Sequence, residues 1–153
     1  SQRLVSNMSN KTMPLLSGID HCHINVNNLS NAVTWYEKVL GFKVVEELAF
    51  WDETGKGPLT LQDQNTTTRL ALFEGQVRSK GIAFGATGEQ FIAWLAHFKS
   101  MDIKTVLADH GVTFSIYFKD ESGNSHEITS HEYEHIKMFY PSVEQGSHSA
   151  KKS

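Results

Sequence analysis

His21 and His23 take alternate positions along a short run whose apolar residues are Ile19, Cys22, Ile24 and Val26. Strand geometry puts such alternate side chains on one face, ~6.6–7 Å apart. Two imidazoles joined by a carboxylate and water suit Fe, Mn, Ni or Zn, and three protein ligands with open positions suffice for catalysis. Glu127 lies on a strand-like run near the C-terminal end. The same groups can equally supply hydrogen bonds to a metal-free pocket, and the residues leave both readings open.

Other chemistry-bearing types form no such set. His131-Glu132-Tyr133-Glu134-His135 lacks the His-Glu-x-x-His order of zinc peptidases, and His97 and His148 join no cluster. There is no Ser-His-Asp arrangement, and Gly81-Ile82-Ala83-Phe84-Gly85 reads as a strand rather than a phosphate loop. Cys22 faces away from His21 and reads as a buried structural thiol. Trp94 reads as packing, while Trp51 either overhangs a pocket mouth or meets a second copy. Ala71 and Phe73 point the same way along their strand and give a pocket an apolar floor, whereas Glu74 faces the other side.

The elements that position these residues recur. Residues 18–26 form a strand. Ala32, Val33, Tyr36, Val39 and Leu40 follow at helical spacing after Ser30 or Asn31 as N-cap, and Gly41 closes the helix. Residues 42–50, 59–61 and 67–73 read as strands. The order then repeats: strand 80–86, a helix from Gly88 with Phe91, Ile92, Leu95 and Phe98 as its stripe, strands 103–107, 112–118 and 127–129, and a turn at 120–124. An offset of about 60 residues places Ile24 opposite Phe84. The expected fold class is α+β, with paired βαβββ modules forming curved mixed sheets around a cleft. The expected organisation is an N-terminal tail over 1–16, one domain over 17–140 and a loose tail over 141–153. The domain comprises repeats at about 17–75 and 79–133 and a short helix over 134–140.

The chain has 153 residues, a net charge of −3 and 39% hydrophobic residues, so nothing advertises nucleic acid or an anionic membrane as partner. No apolar run nears the ~20 residues of a membrane span. One cysteine fits a reducing compartment, and a cytoplasmic location is expected.

Gly18-Ile19-Asp20-His21, followed by Trp35-Tyr36-Glu37-Lys38-Val39-Leu40-Gly41-Phe42, resembles the opening of vicinal oxygen chelate proteins. That superfamily groups glyoxalase I, bleomycin- and fosfomycin-resistance proteins and extradiol dioxygenases. Tyr117-Phe118-Lys119-Asp120-Glu121-Ser122-Gly123-Asn124-Ser125-His126-Glu127-Ile128 resembles its closing motif, with Glu121 where proline is usual. The resemblance, over about residues 18–133, implies a divalent metal with ligands from the first and last strands of each half. His21 and Glu127 fall on two such positions; Gly81 and Ala71 occupy the other two. His110, Tyr117, Asp120, Gly123 and Glu127 also resemble the extradiol ring-cleavage motif, in which the histidine and tyrosine line the pocket beside the metal-binding glutamate. Ala108 departs from that pattern.

Two functions follow as expectations. One is a metal-dependent lyase or ring-cleaving dioxygenase using His21, Glu127 and a non-standard third ligand such as His23, with glyoxalase I activity itself excluded by Ala71 and Gly81. The other is a metal-free protein that sequesters a small organic molecule, as bleomycin-resistance members do. His23, Ala71, Phe73 and Gly81 would line the ligand pocket in either case, and pairing of halves across a homodimer is the expected assembly.

Overall fold

Each half of the chain builds its own four-stranded sheet, and the two sheets share one strand order. The computed structural model describes residues 13–52 and 58–145, with backbone alone for 50–52. In the first half Cys22–Val26 (β1) lies parallel to Arg69–Glu74 (β4), which pairs antiparallel with Leu59–Gln62 (β3), and Lys43–Val44 (β2) closes the far edge. In the second, Ala83–Gly85 (β5) lies parallel to Ser125–Ser130 (β8), followed by Phe114–Lys119 (β7) and Val106–Asp109 (β6). The orders β1-β4-β3-β2 and β5-β8-β7-β6 are the paired βαβββ arrangement expected of the repeat.

The repeat extends to turns where residue identity is lost. Asp63 and Asp120 each accept backbone N–H groups from the residues that follow, and each turn passes through a left-handed residue, Thr66 (φ 58°) and Gly123 (φ 92°). The helices end alike, at Gly41 (φ 76°) and Asp102 (φ 57°).

Helix α1 (Leu29–Trp35) starts at Asn28 rather than at Ser30 or Asn31. The Asn28 side chain accepts the Asn31 N–H, and Glu74 Oε2 accepts that of Leu29, so the first-turn donors are met two residues early. The helix widens over Tyr36–Leu40 before Gly41 stops it. Helix α2 (Gly88–Ser100) carries a full capping box between Thr87 and Gln90. Helix α3 (Tyr133–Phe139) docks through Glu132, whose carboxylate accepts the Gly88 N–H at the start of α2. Residues 42–50 do not form the long strand their composition suggests. β3 offers only a short partner, so β2 ends at Val44 and a 3-10 turn takes Glu46–Asp52, closed by Leu48 N–H on Val45 C=O. Ile19 precedes β1 and is exposed. The described ends at 13–16 and 141–145 hold no regular helix or strand; the remaining tail residues, with His148, lie outside the described residues, as does the Trp51 side chain. Among the described residues no helix is long and apolar enough to cross a membrane.

One core spans both halves. Ile24, Val26, Ala32, Tyr36, Leu70 and Leu72 from the first meet Phe91, Phe98, Phe114, Ile116, Phe118 and Ile128 from the second. Trp35 stacks on Phe118, and Phe98 lies 4.7 Å from Phe118 between ring centroids. Each half thus buries its apolar surface against the other.

A buried polar cluster locks the halves together. Tyr36 Oη donates to Asp120 Oδ2 (2.7 Å) and lies 2.9 Å from His126 Nε2. The Ile82 N–H donates to His126 Nδ1, so the ring proton sits on Nε2 and points at Tyr36. Asp120 further accepts the Asn124 side-chain amide and the backbone N–H groups of Ser122 and Asn124. Asn124 donates onward to Asn25 C=O of β1, and Ser122 Oγ accepts the Asn27 N–H. Burial alone would raise the Asp120 carboxyl, but the His126 ring 3.7 Å away and the hydrogen bonds from Tyr36 and Asn124 outweigh it and hold it at about 2. The ionised group therefore stabilises the fold fully above its ordinary value of 3.8, and that stability is lost as pH falls through about 2. Tyr36→Phe removes one donor from Asp120 and strands the His126 proton. Urea denaturation at neutral pH should show a loss of about 1–3 kcal/mol, and a loss below about 0.5 kcal/mol would deny the cluster its role.

Candidate functional site

Alternation along β1 sends Ile24 and Val26 into the core and turns His21, His23 and Asn25 to the open face of the first sheet. Register brings His23 beside Ala71, which in turn lies beside Thr60, and sets Asn25 beside Phe73. A cavity of about 340 Å³ opens here, lined by Asp20, His21, His23, Leu48, Pro58, Thr60, Arg69, Ala71 and Phe73. The His23 ring meets Phe73 edge-on at 5.0 Å, and Phe73 and Ala71 are among the apolar residues lining the cavity.

The two histidines converge. His21 Nε2 lies 3.1 Å from His23 Nε2, and His21 Nδ1 donates to Asp20 Oδ2 at 2.8 Å. With the His21 proton on Nδ1, its Nε2 accepts the His23 proton. That hydrogen bond holds the Asp20 carboxyl below the usual carboxylate range. Two nitrogens ~2.1 Å from a shared ion stand roughly 3.0–3.4 Å apart at angles of about 90–110°, so the two Nε2 atoms have the spacing of a chelating pair, although both rings would have to turn toward the ion. Asp20 on the far ring nitrogen is the orienting carboxylate that metal-bound histidines ordinarily carry.

Glu127 sits on the open face of the second sheet, in register with Ala83 of β5 and Tyr117 of β7. Ser115 Oγ donates to Glu127 Oε2 at 2.9 Å. His110 Nε2 and Tyr117 Oη are 3.0 Å apart, and Tyr117 is the register partner of Glu127. The turn presenting His110 is tied down by Asp109, which accepts the Gly111 N–H, the Tyr133 hydroxyl and the Lys137 ammonium.

The single chain does not bring the two faces together. Among the described residues no group of three or more His, Cys, Asp and Glu side chains is placed to hold a metal, so Glu127 does not join His21 and His23 within one chain. Gly81 contributes no side chain, for a steric reason. Its φ is +110°, and a Cβ there would fall 1.3 Å from the Ser125 carbonyl oxygen. Sequence reasoning missed Asp20, Thr60, Arg69 and Ser115, although Arg69 alternates with Ala71 and Phe73, and Ser115 with Tyr117, at the same two-residue spacing that singled out the histidines.

Over residues 18–128 the chain matches the family model of the Glyoxalase/Bleomycin resistance protein/Dioxygenase superfamily. Among solved structures it resembles lactoylglutathione lyase from Agrobacterium tumefaciens, at 19% identity and a TM-score of 0.64 over 76% of this chain and 96% of that one. It also resembles a mutant of the fosfomycin resistance protein FosX from Listeria monocytogenes, complexed with Mn(II) and 1S,2S-dihydroxypropylphosphonic acid, at 17% identity and a TM-score of 0.62 over 79% and 97%. At such identities the likeness is one of fold.

The Gly81 geometry has a measurable consequence. Gly81→His would have to re-form the backbone against Ser125 before its imidazole could reach any ion. Denaturation should show a loss of about 3 kcal/mol or more with no gain in metal binding. A stable variant with added metal affinity would contradict this placement.

Proposed function

Because the chain belongs to the Glyoxalase/Bleomycin resistance protein/Dioxygenase superfamily, we propose that it is a divalent-metal-dependent enzyme acting on a small oxygen-bearing organic molecule, with a site shared between two copies of the chain. The observation that carries this reading is the pair of Nε2 atoms 3.1 Å apart, oriented by Asp20. His21 and His23 of one copy would hold an Fe, Mn, Ni or Zn ion, and Glu127 of a second copy would complete the set. FosX, of like fold, is complexed with Mn(II) in one solved form.

Each chain holds half of such a site: nitrogen donors on the first sheet, the carboxylate on the second. Met13, Leu15, Leu16 and Ile19, which lead into β1, are exposed and apolar, and a second copy would cover them. A bound ion would supply Lewis-acid polarisation of substrate oxygen. The residues do the rest. Ser115 fixes Glu127, Ala71, Leu48 and Phe73 exclude water from the floor, and Tyr117 Oη and His110 Nε2 hold a proton between them beside Glu127. The single cysteine supports a cytoplasmic setting for this activity.

Ala71 and Gly81 favour a second reading, a metal-free protein that sequesters an organic molecule. Metal analysis after loading with Fe, Mn, Ni and Zn separates the two. The enzyme reading expects stoichiometric metal that is lost in His21→Ala and in Glu127→Ala; no metal in the parent protein would sink it. Mixing these two variants tests the shared site. After subunit exchange a cross-copy site regains about a quarter of the parent's metal, because half the dimers are mixed and each holds one intact site. A site within one chain regains none.

A further inference from the structure

We infer that the substrate carries an oxyanion, a carboxylate or phosphonate-type group, which Arg69 grips on the open face of the first sheet. This rests on the site proposed above and names the class of molecule it takes.

Only Asp20 and Arg69 bear fixed charge among the side chains lining the first cavity. Asp20 stands at the mouth, with its side chain 81% exposed and Oδ2 engaged by His21. Arg69 lies on the sheet face two residues before Ala71, in register with Gln62 of β3, and is half-buried. The Gln62 side-chain amide donates to Thr66 C=O, and no hydrogen bond joins the Gln62 and Arg69 side chains. Among the described residues the Arg69 side chain makes no ion pair within 4 Å and donates no hydrogen bond, and its charge reaches Asp20 only at longer range. A planar five-donor cation held on an apolar-floored cavity without an acceptor is matched to a ligand with two coplanar oxygens.

Charge balance points the same way. A divalent ion with Glu127, Asp20 and Arg69 leaves one net positive charge in a partly desolvated site, a costly state unless the ligand is anionic. A carboxylate at position 71 would cancel that charge. Ala71 leaves the charge in place and leaves room beside His23 and Thr60 for the ligand that neutralises it.

The test uses the full chain stripped of metal over a chelating resin, titrated at low ionic strength with acetate, inorganic phosphate and acetamide, and followed by amide chemical shifts of residues around the first cavity. Acetate and phosphate should bind and neutral acetamide should not. Arg69→Gln should weaken oxyanion binding at least about tenfold, and Arg69→Lys, which keeps the charge but not the fork, should fall between. Ala71→Glu should weaken oxyanions while tightening Mn(II). Equal oxyanion affinity in Arg69→Gln and parent, or acetamide binding as well as acetate, would overturn the inference. Arg69-dependent oxyanion binding by a protein that takes up no metal would sustain it and sink the enzyme reading, so the two failures are distinct.

Discussion

A carboxylate buried between two halves of a protein must be surrounded by donors or it will not stay ionised, and Asp120 is surrounded. Its partners come from α1, from its own turn and, through Asn124, from the end of β1. Because Asn25 is both the acceptor for Asn124 and the residue two places after His23, the joint between the halves also sets how β1 lies and where its histidines point. The motifs that resemble a known family, Tyr36 on one side and Asp120, Gly123 and Asn124 on the other, meet at this joint. These motif residues hold the halves together.

The same logic explains what could be read in advance. The period-two pattern from His21 to Val26 was enough to place both imidazoles on one face, since a strand with one buried face admits a single phase. The repeat was legible through the recurring order of strand and helix patterns, with Gly41 closing the first helix. The strand proposed for 42–50 failed because strand length is decided by the partner, and β3 lies elsewhere in sequence. The helix start at Asn28 was missed for a similar reason: Glu74, far along the chain, caps Leu29. Nothing local in the sequence says which open face looks at which, so the separation of Glu127 from His21 and His23 could come only from the fold.

The two open faces are unequal copies of one plan. The first carries nitrogen donors, an apolar floor and a lone guanidinium; the second carries a carboxylate held by Ser115 and a hydrogen-bonded imidazole–phenol pair. In strand register Ala71 stands beside His23 as Glu127 stands beside Ala83, and Gly81 precedes β5 as His21 precedes β1. The two halves share one scaffold and carry different side chains on their open faces.

Gly81 is held to glycine by the main chain itself. At φ +110° a Cβ there would fall 1.3 Å from the Ser125 carbonyl oxygen, so any side chain at this position requires the backbone to move. A search for new specificity in this protein would find its freedom on the first sheet, around Thr60, Arg69 and Ala71, where side chains can change without the backbone being asked to move.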